Sequence, residues 1–485
     1  MRADLPSILE KVKTKGWKKI KVEFSGGPLA ISMPPDCVEL TMKRAEPFKN
    51  PEKEIARALD KPVQGLPLEE IIGRKGKPPD QLKVAITISD ITRPVPYKGK
   101  KGILPPLLKK LLAQGIRKPN IFIIVGTGTH RASTTPEKAE MLGKNIVGSY
   151  QILDHDCQDA ANLVCVGTTT TGTEVFLNKQ FQEADVKIAT GLTESHFMAG
   201  ASGGRKAVCP GLVDRRTIQK FHGPEFLESP LATNLTFAGN PCHEESTAVA
   251  KAVGVDFTIT ATLDKDMRIT GVFAGDLERV LEEAVNRIKT YVAIPVEEEF
   301  DIVLTHGGYV GRNHYQTAKA AVGALPAVKQ NGVIIIAADN HDPEPIGGPE
   351  YKTLIHLLKL QGADGYVDLL RSPTWKFTQD QWEPEVWGKV LRKVGEEGLI
   401  YCTPDIPPKD FVFLPGVSGH EFLTPAGKKK NPARKAEEMV QNAILYFYGM
   451  YINKGISPRV AFIREGPYAV PIKTAGSSPE ELVTP

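Results

Sequence analysis

The 485-residue chain shows no excess of charge of either sign: 61 Lys and Arg against 57 Asp and Glu leave a formal net charge of +4. So even a balance sets up no field that would gather nucleic acid. Two basic stretches, residues 11–21 and 428–435, hold a single aromatic between them, Trp17. They lack the repeated rings on which bases stack, and both read as solvated faces. Cysteine is scarce: Cys37, Cys157, Cys165, Cys209, Cys242 and Cys402 are scattered, with no C-x-x-C pair. That usage reads as reduced, mostly buried thiols. Long apolar runs are missing too. IFIIV and GVIIIAA are strand length, far below the roughly 20 residues that span a bilayer, and the first 24 residues contain no apolar signal core. The expectation is a cytoplasmic protein with no nucleic-acid partner and no membrane. H-E-x-x-H, H-x-H and G-x-x-x-x-G-K-[ST] are also absent, so an ordinary zinc site and a P-loop have no local support.

What is present is alternation. LKVAITI (82–88) precedes a helical stretch near 103–114, and IFIIV (121–125) precedes one near 136–143. VKIAT (186–190) precedes a glycine-rich turn. DIVLTHGG (301–308), GVIIIAAD (332–339) and a helix near 351–360 repeat the habit. Fully apolar, β-branched runs of this length suit strands buried on both faces, and the alternation predicts parallel α/β sheets. Length argues for two domains. A proline and acidic break near 292–301 marks the boundary. The predicted architecture is two α/β domains with a cleft between them: 1–294, 295–465, and a Pro-, Ser- and Gly-rich tail over 466–485. Residues 433–450 have helical periodicity.

Polar residues follow the apolar runs directly: Asp90 and Arg93 in SDITRP, His130 in VGTGTHR, His196 in TGLTESH. Ligands of open α/β sheets bind at the carboxyl ends of strands, so these three loops are candidates to converge on one pocket. Each residue alone has an ordinary structural reading. The segment 199–211, AGASGGRKAVCPG, adds glycines, Gly203 and Gly204 among them, that permit close backbone approach, and a lysine, Lys206. Such a lysine binds an anion as a point charge or acts as an amine nucleophile when desolvated. His222 follows in KFHGPEF. In HYQTAK, Tyr315 and Lys319 fall one helical turn apart with Gln316 beside them.

Taken in order, these motifs resemble the lactate racemase family, which uses a nickel-pincer nucleotide. D-x-T-R-P matches residues 90–94 and G-T-H-R residues 128–131. A histidine before A-G-x-S-G-G with lysine matches His196 and 199–206. The nickel-ligand histidine matches His222, and Y-Q-x-x-K residues 315–319. The resemblance implies a racemase or epimerase of 2-hydroxy acids. Lys206 would bear the pincer (pyridinium-3-thioamide-5-thiocarboxylic acid mononucleotide) through a thioamide, and His222 would be the protein ligand to nickel. His130 and His196 would be the acid/base pair, and Arg93 would grip the substrate carboxylate. Lys319, Met198 and Trp382 would also line the substrate, with Asp90, Tyr315, Gln316, Gly203 and Gly204 on the cofactor. Met198 stands where an aromatic is expected. Trp382, with Trp375 and Trp387 close by, is similar to the family's pocket tryptophan. Cofactor-making proteins would be transient partners. Sugar acids or malate-like diacids are alternative substrates, and a non-catalytic pincer carrier is the alternative outside enzymes.

Overall fold

The computed structural model describes Arg2, residues 4–25 and residues 27–474. The chain divides into two compact units. One is formed by residues 44–291 and the other by the described residues before 44 together with those after 291.

The first unit is built on a six-stranded sheet in the order Ile269–Gly275, Phe257–Leu263, Val186–Leu192, Val84–Ile88, Ile121–Val125, Gln151–Asp154. All neighbours are parallel except the edge hairpin of Ile269–Gly275 with Phe257–Leu263. The run Val84–Ile88 is buried at every position, as expected of a strand covered on both faces. Ile86, Ile88, Ile123, Val125 and Ile188 share one core with the helix Leu104–Ala113 and with Leu68, Ile71 and Ile72. After Val84–Ile88 the chain adds strands on one side, then returns to add Val186–Leu192 on the other. The order therefore reverses between Val84–Ile88 and Val186–Leu192. A topological switch of this kind opens a crevice at the carboxyl ends of the two strands.

The second unit carries its own six-stranded sheet, parallel throughout: Val417–Ser418, Leu399–Cys402, Val328–Ala337, Phe300–His306, Val460–Ile463, Val38–Leu40. That last strand corrects the expectation of one N-terminal domain over 1–294. Val38–Leu40 completes this sheet by pairing with Val460–Ile463. Leu5 and Ile8 of the helix Leu5–Lys11 share a core with Met439, Val440 and Ala443 of the helix Pro432–Asn453. The first 43 residues are too short to bury a core alone and find theirs at the far end of the chain. The tail expected over 466–485 is corrected as well, because Val470–Lys473 pairs in parallel with Ala293–Val296. Residues 475–485 lie outside the described residues. All six cysteines are free, with four buried and Cys165 exposed. Among the described residues no helix is long and apolar enough to cross a membrane.

Candidate functional site

The switch crevice of the first unit gathers the residues that the sequence places after its strands. Asp90 lies two residues past Val84–Ile88 and is buried. Its Oδ1 accepts from Thr92 N–H (3.2 Å) and from Thr92 Oγ1 (2.6 Å). Its Oδ2 meets His130 Nδ1 at 2.6 Å. Burial alone would raise the Asp90 pKa, but the hydrogen bonds from His130 and Thr92 outweigh it and hold the carboxyl below its usual value. A carboxylate accepts only, so His130 carries a proton on Nδ1, and in its neutral form the ring presents Nε2 as a lone pair. The imidazole is half exposed, as a group that must meet a ligand should be.

His196 is set the other way round. Its Nδ1 accepts the backbone N–H groups of Met198 (3.2 Å) and Ala199 (3.4 Å), in the tight return between Ser195–His196 and Gly200–Ala201. The proton of the neutral ring is then on Nε2, which stands 2.9 Å from Lys206 Nζ. Burial, with the charges of Arg93 and Arg205, lowers the Lys206 pKa to about 7. The two neutral rings thus carry opposite tautomers, a lone pair at His130 Nε2 and an N–H at His196 Nε2.

The loop under Lys206 is tied to the sheet. Thr87 Oγ1 donates to Ala207 O (3.2 Å), and Ser202 Oγ donates to Leu192 O (2.8 Å). Gly203 has φ +80°, and a Cβ there would come within 2.7 Å of Thr193 Oγ1 and 3.0 Å of Leu192 O. The close approach this glycine permits is to its own strand end. His222 ends the helix Arg215–Phe221, and its Nδ1 donates to Ile218 O (3.1 Å), making Nε2 the lone-pair nitrogen. Burial above all pushes its pKa down to about 3. It is a neutral imidazole across the physiological range, the form that ligates metals. Among the described residues no group of three or more His, Cys, Asp or Glu is arranged to hold a metal ion.

Arg93 Nη1 donates to Glu194 Oε1 at 2.9 Å, both side chains about one-third exposed. Glu194 escaped the sequence reading, although it sits two residues before His196. Arg205, whose charge acts on Lys206, also went unremarked beside it. Met198, expected on the substrate, is buried and works here through its backbone: its N–H fixes His196 and its carbonyl accepts from Asn240 Nδ2 (2.9 Å).

In the second unit the helix His314–Gly323 does open with the H-Y-Q-x-x-K stretch, and Asn313 caps it by accepting from Gln316 N–H (2.9 Å). Lys319 Nζ donates to Gln316 Oε1 (2.7 Å). Trp382 Nε1 donates to the Tyr315 hydroxyl (3.2 Å). The three neighbouring tryptophans separate by contact. Trp387 is fully buried and bonded to Tyr351 (3.0 Å), Trp375 bonds Gln381 (3.0 Å), and Trp382 is the one against Tyr315. Glu383, also unremarked from sequence, is buried beside this set. Burial raises its pKa to about 8 against the opposing charge of Lys319.

Two imidazoles of opposite tautomer, a half-buried amine and an arginine stand at or near the strand ends of an open α/β sheet, where such sheets bind small molecules. Comparison gives the class a name. Residues 25–234 match the lactate racemase N-terminal domain model and 296–409 the lactate racemase C-terminal domain model. The lactate racemase of Lactiplantibacillus plantarum is 32% identical over 339 residues, 70% of this chain and 77% of that protein. The lactate racemase of Thermoanaerobacterium thermosaccharolyticum is 30% identical over 433 residues, 87% of this chain and 95% of that protein. The solved lactate racemase apoprotein from T. thermosaccharolyticum aligns with a TM-score of 0.75 at 25% identity, covering 94% of this chain and all of that one. A Thermotoga maritima protein shares the fold alone, with a TM-score of 0.59 at 16% identity over 89% of this chain and all of that one. The chain belongs to the lactate racemase family.

Proposed function

We propose that the protein is a racemase or epimerase that inverts C2 of a 2-hydroxy acid, using a nickel-pincer nucleotide anchored on Lys206. The observation that carries the reading is the company Lys206 keeps. A half-buried amine with a depressed pKa touches one imidazole, His196, and lies within electrostatic reach of a second, His222, that is held neutral. These residues suit the group. The amine is the nucleophilic form that a thioamide bond requires, and His222 Nε2 would serve as the protein ligand to nickel. The remaining donors would come from the organic group. Tyr315, Gln316, Gly203, Gly204 and Asp90 would support it.

When bound, the nickel-pincer group supplies an acceptor for the hydride of C2. The chain supplies the rest. Arg93 offers a planar fork to the substrate carboxylate, and its five N–H donors suffice for Glu194 and a substrate together. His130 Nε2 takes the C2 hydroxyl proton, and Asp90 stabilises the imidazolium that forms. His196 serves the hydroxyl of the opposite enantiomer. Once Lys206 is acylated its nitrogen no longer accepts a hydrogen bond, so His196 Nε2 is released to the substrate. Lys319, Trp382 and Met198 would shape the side-group end, and cofactor-making proteins would be transient partners.

The test is expression together with the cofactor-making enzymes and nickel, followed by chiral assay of small, polyhydroxylated and dicarboxylic 2-hydroxy acids in heavy water. Inversion with little deuterium at C2, and a covalent mass at Lys206 absent from Lys206→Ala, are the expected results. Stoichiometric solvent deuterium at C2 would exclude hydride transfer, and an adduct without turnover of any acid would favour a carrier.

A further inference from the structure

We propose that His196 has a second task in the cofactor-free protein. Through its Nε2–H it hydrogen bonds the Lys206 amine and holds it as a neutral nucleophile, poised to attack an activated carbonyl carbon. Only the identity of the natural electrophile rests on the reading above.

The argument is one of donors and acceptors. An ammonium at Lys206 would have to donate to His196 Nε2, at 2.9 Å. That requires the ring proton on Nδ1, where the backbone N–H groups of Met198 and Ala199 already point. Two backbone donors facing a third proton is a costly arrangement, and both amides lie in the short return closed by the pairing of Ser195–His196 with Gly200–Ala201, where Asn240 Nδ2 also holds the Met198 carbonyl (2.9 Å). The consistent assignment has Nε2–H donating to the lone pair of an uncharged amine. The surroundings agree. Arg93 and Arg205 repel a positive charge on Lys206, and burial disfavours it further. Against them stand the thiols of Cys209 and Cys242 and the Phe221 face, 5.2 Å from Nζ. His222, the remaining titratable neighbour on the adjoining helix, is neutral.

For a thiocarboxylic acid the step balances without any further reagent. The amine lone pair forms the C–N bond, and the carbonyl oxygen leaves as water. One proton of that water comes from the amine nitrogen and the other from solvent, because the thiocarboxylate is ionised at neutral pH; a thioamide remains.

Acetylation of the cofactor-free full-length chain by trace acetic anhydride, read per lysine by peptide mass spectrometry from pH 5.5 to 9, tests this without turnover. Lys206 should label with a midpoint near 7, on the order of tenfold or more faster at pH 7 than an ordinary lysine. His196→Asn keeps an acceptor near the Nδ1 position but cannot reach the lysine. It should raise the midpoint and slow labelling at pH 7 by roughly three- to tenfold, while His196→Gln, whose amide reaches further, should recover much of the rate. Nitrogen-15 NMR of the wild-type chain should show His196 protonated at Nε2. An ordinary lysine profile at Lys206, an unchanged rate in His196→Asn, or a proton on Nδ1 would each overturn the proposal. The two readings fail separately. Labelling as expected with no cofactor adduct on co-expression refutes the cofactor assignment, whereas an adduct on a lysine of ordinary reactivity refutes the role given to His196.

Discussion

Asp90→Asn replaces one oxygen and leaves the shape of the side chain. Its consequence follows from which atoms can turn. Asp90 Oδ1 faces the backbone N–H of Thr92 at 3.2 Å, and that amide cannot rotate. The asparagine must therefore place its oxygen towards Thr92 and its NH2 towards His130. His130 Nδ1, now facing a donor, has to give up its proton and accept, so the ring carries N–H at Nε2 and loses the lone pair that takes the substrate proton. Restoring the productive tautomer breaks that bond and leaves two donors facing each other, at a cost of about 1–3 kcal/mol. That is roughly 5- to 150-fold in the population of competent rings. The lost carboxylate also stops stabilising the imidazolium, so kcat should fall by about 10²- to 10⁴-fold with KM little changed. Chiral chromatography of the loaded enzyme reads the rate, and nitrogen-15 NMR of the imidazole reads the tautomer directly. Wild-type His130 protonated at Nε2, or an Asp90→Asn enzyme within a few fold of wild type, would refute the reasoning.

Arg93→Lys keeps the charge but replaces a planar fork with a point charge, so kcat/KM should drop roughly ten- to a hundredfold through misplaced substrate; an unchanged value would remove Arg93 from the carboxylate role. His222→Ala should lower the nickel content of the loaded protein while the organic adduct stays on Lys206, checked by metal analysis and intact mass. His314 is buried, stacked 4.5 Å from Trp387, and its pKa is pushed down to about 3 by burial. The unfolded chain takes up a proton there as pH falls through about 6.5 while the folded chain does not, so the stability it allows is lost with acid. Between pH 7 and 5 the loss is about 2 kcal/mol. The wild type should lose that much more than His314→Gln over the same interval in urea titrations, and equal slopes would contradict it.

Much of the first unit was legible because its strands are buried on both faces. A run such as Val84–Ile88 has no polar alternative, and the polar residues that follow it have nowhere to go but the strand end. The H-Y-Q-x-x-K stretch opened a helix as its pattern implied, with Asn313 supplying the cap. What escaped were relations at a distance. Nothing local in residues 38–40 says that they pair with 460–463, since a three-residue edge strand carries almost no periodicity. The same holds for Glu194, whose importance lies in Arg93, 101 positions earlier, and for Asp90. Its motif marks it as polar, but only the fold reveals that its carboxylate sets the tautomer of His130.

The charge state of the gathered residues bears on the chemistry itself. Removing the C2 hydrogen of a hydroxy acid as a proton would build negative charge beside the carboxylate, and the usual remedy is a cation placed over it. In the first unit the Lys206 amine has its pKa lowered to about 7, His222 is neutral, and Arg93 is paired with Glu194. Removing the hydrogen as hydride, with the hydroxyl proton passing to an imidazole, leaves a neutral carbonyl and asks for no such cation. The lone pair at His130 Nε2 is placed to take such a proton, and the Nε2–H of His196 to hydrogen bond an oxygen. Keeping an amine and a histidine from charging requires a specific environment, and here it is built from burial, two arginines and two backbone amides.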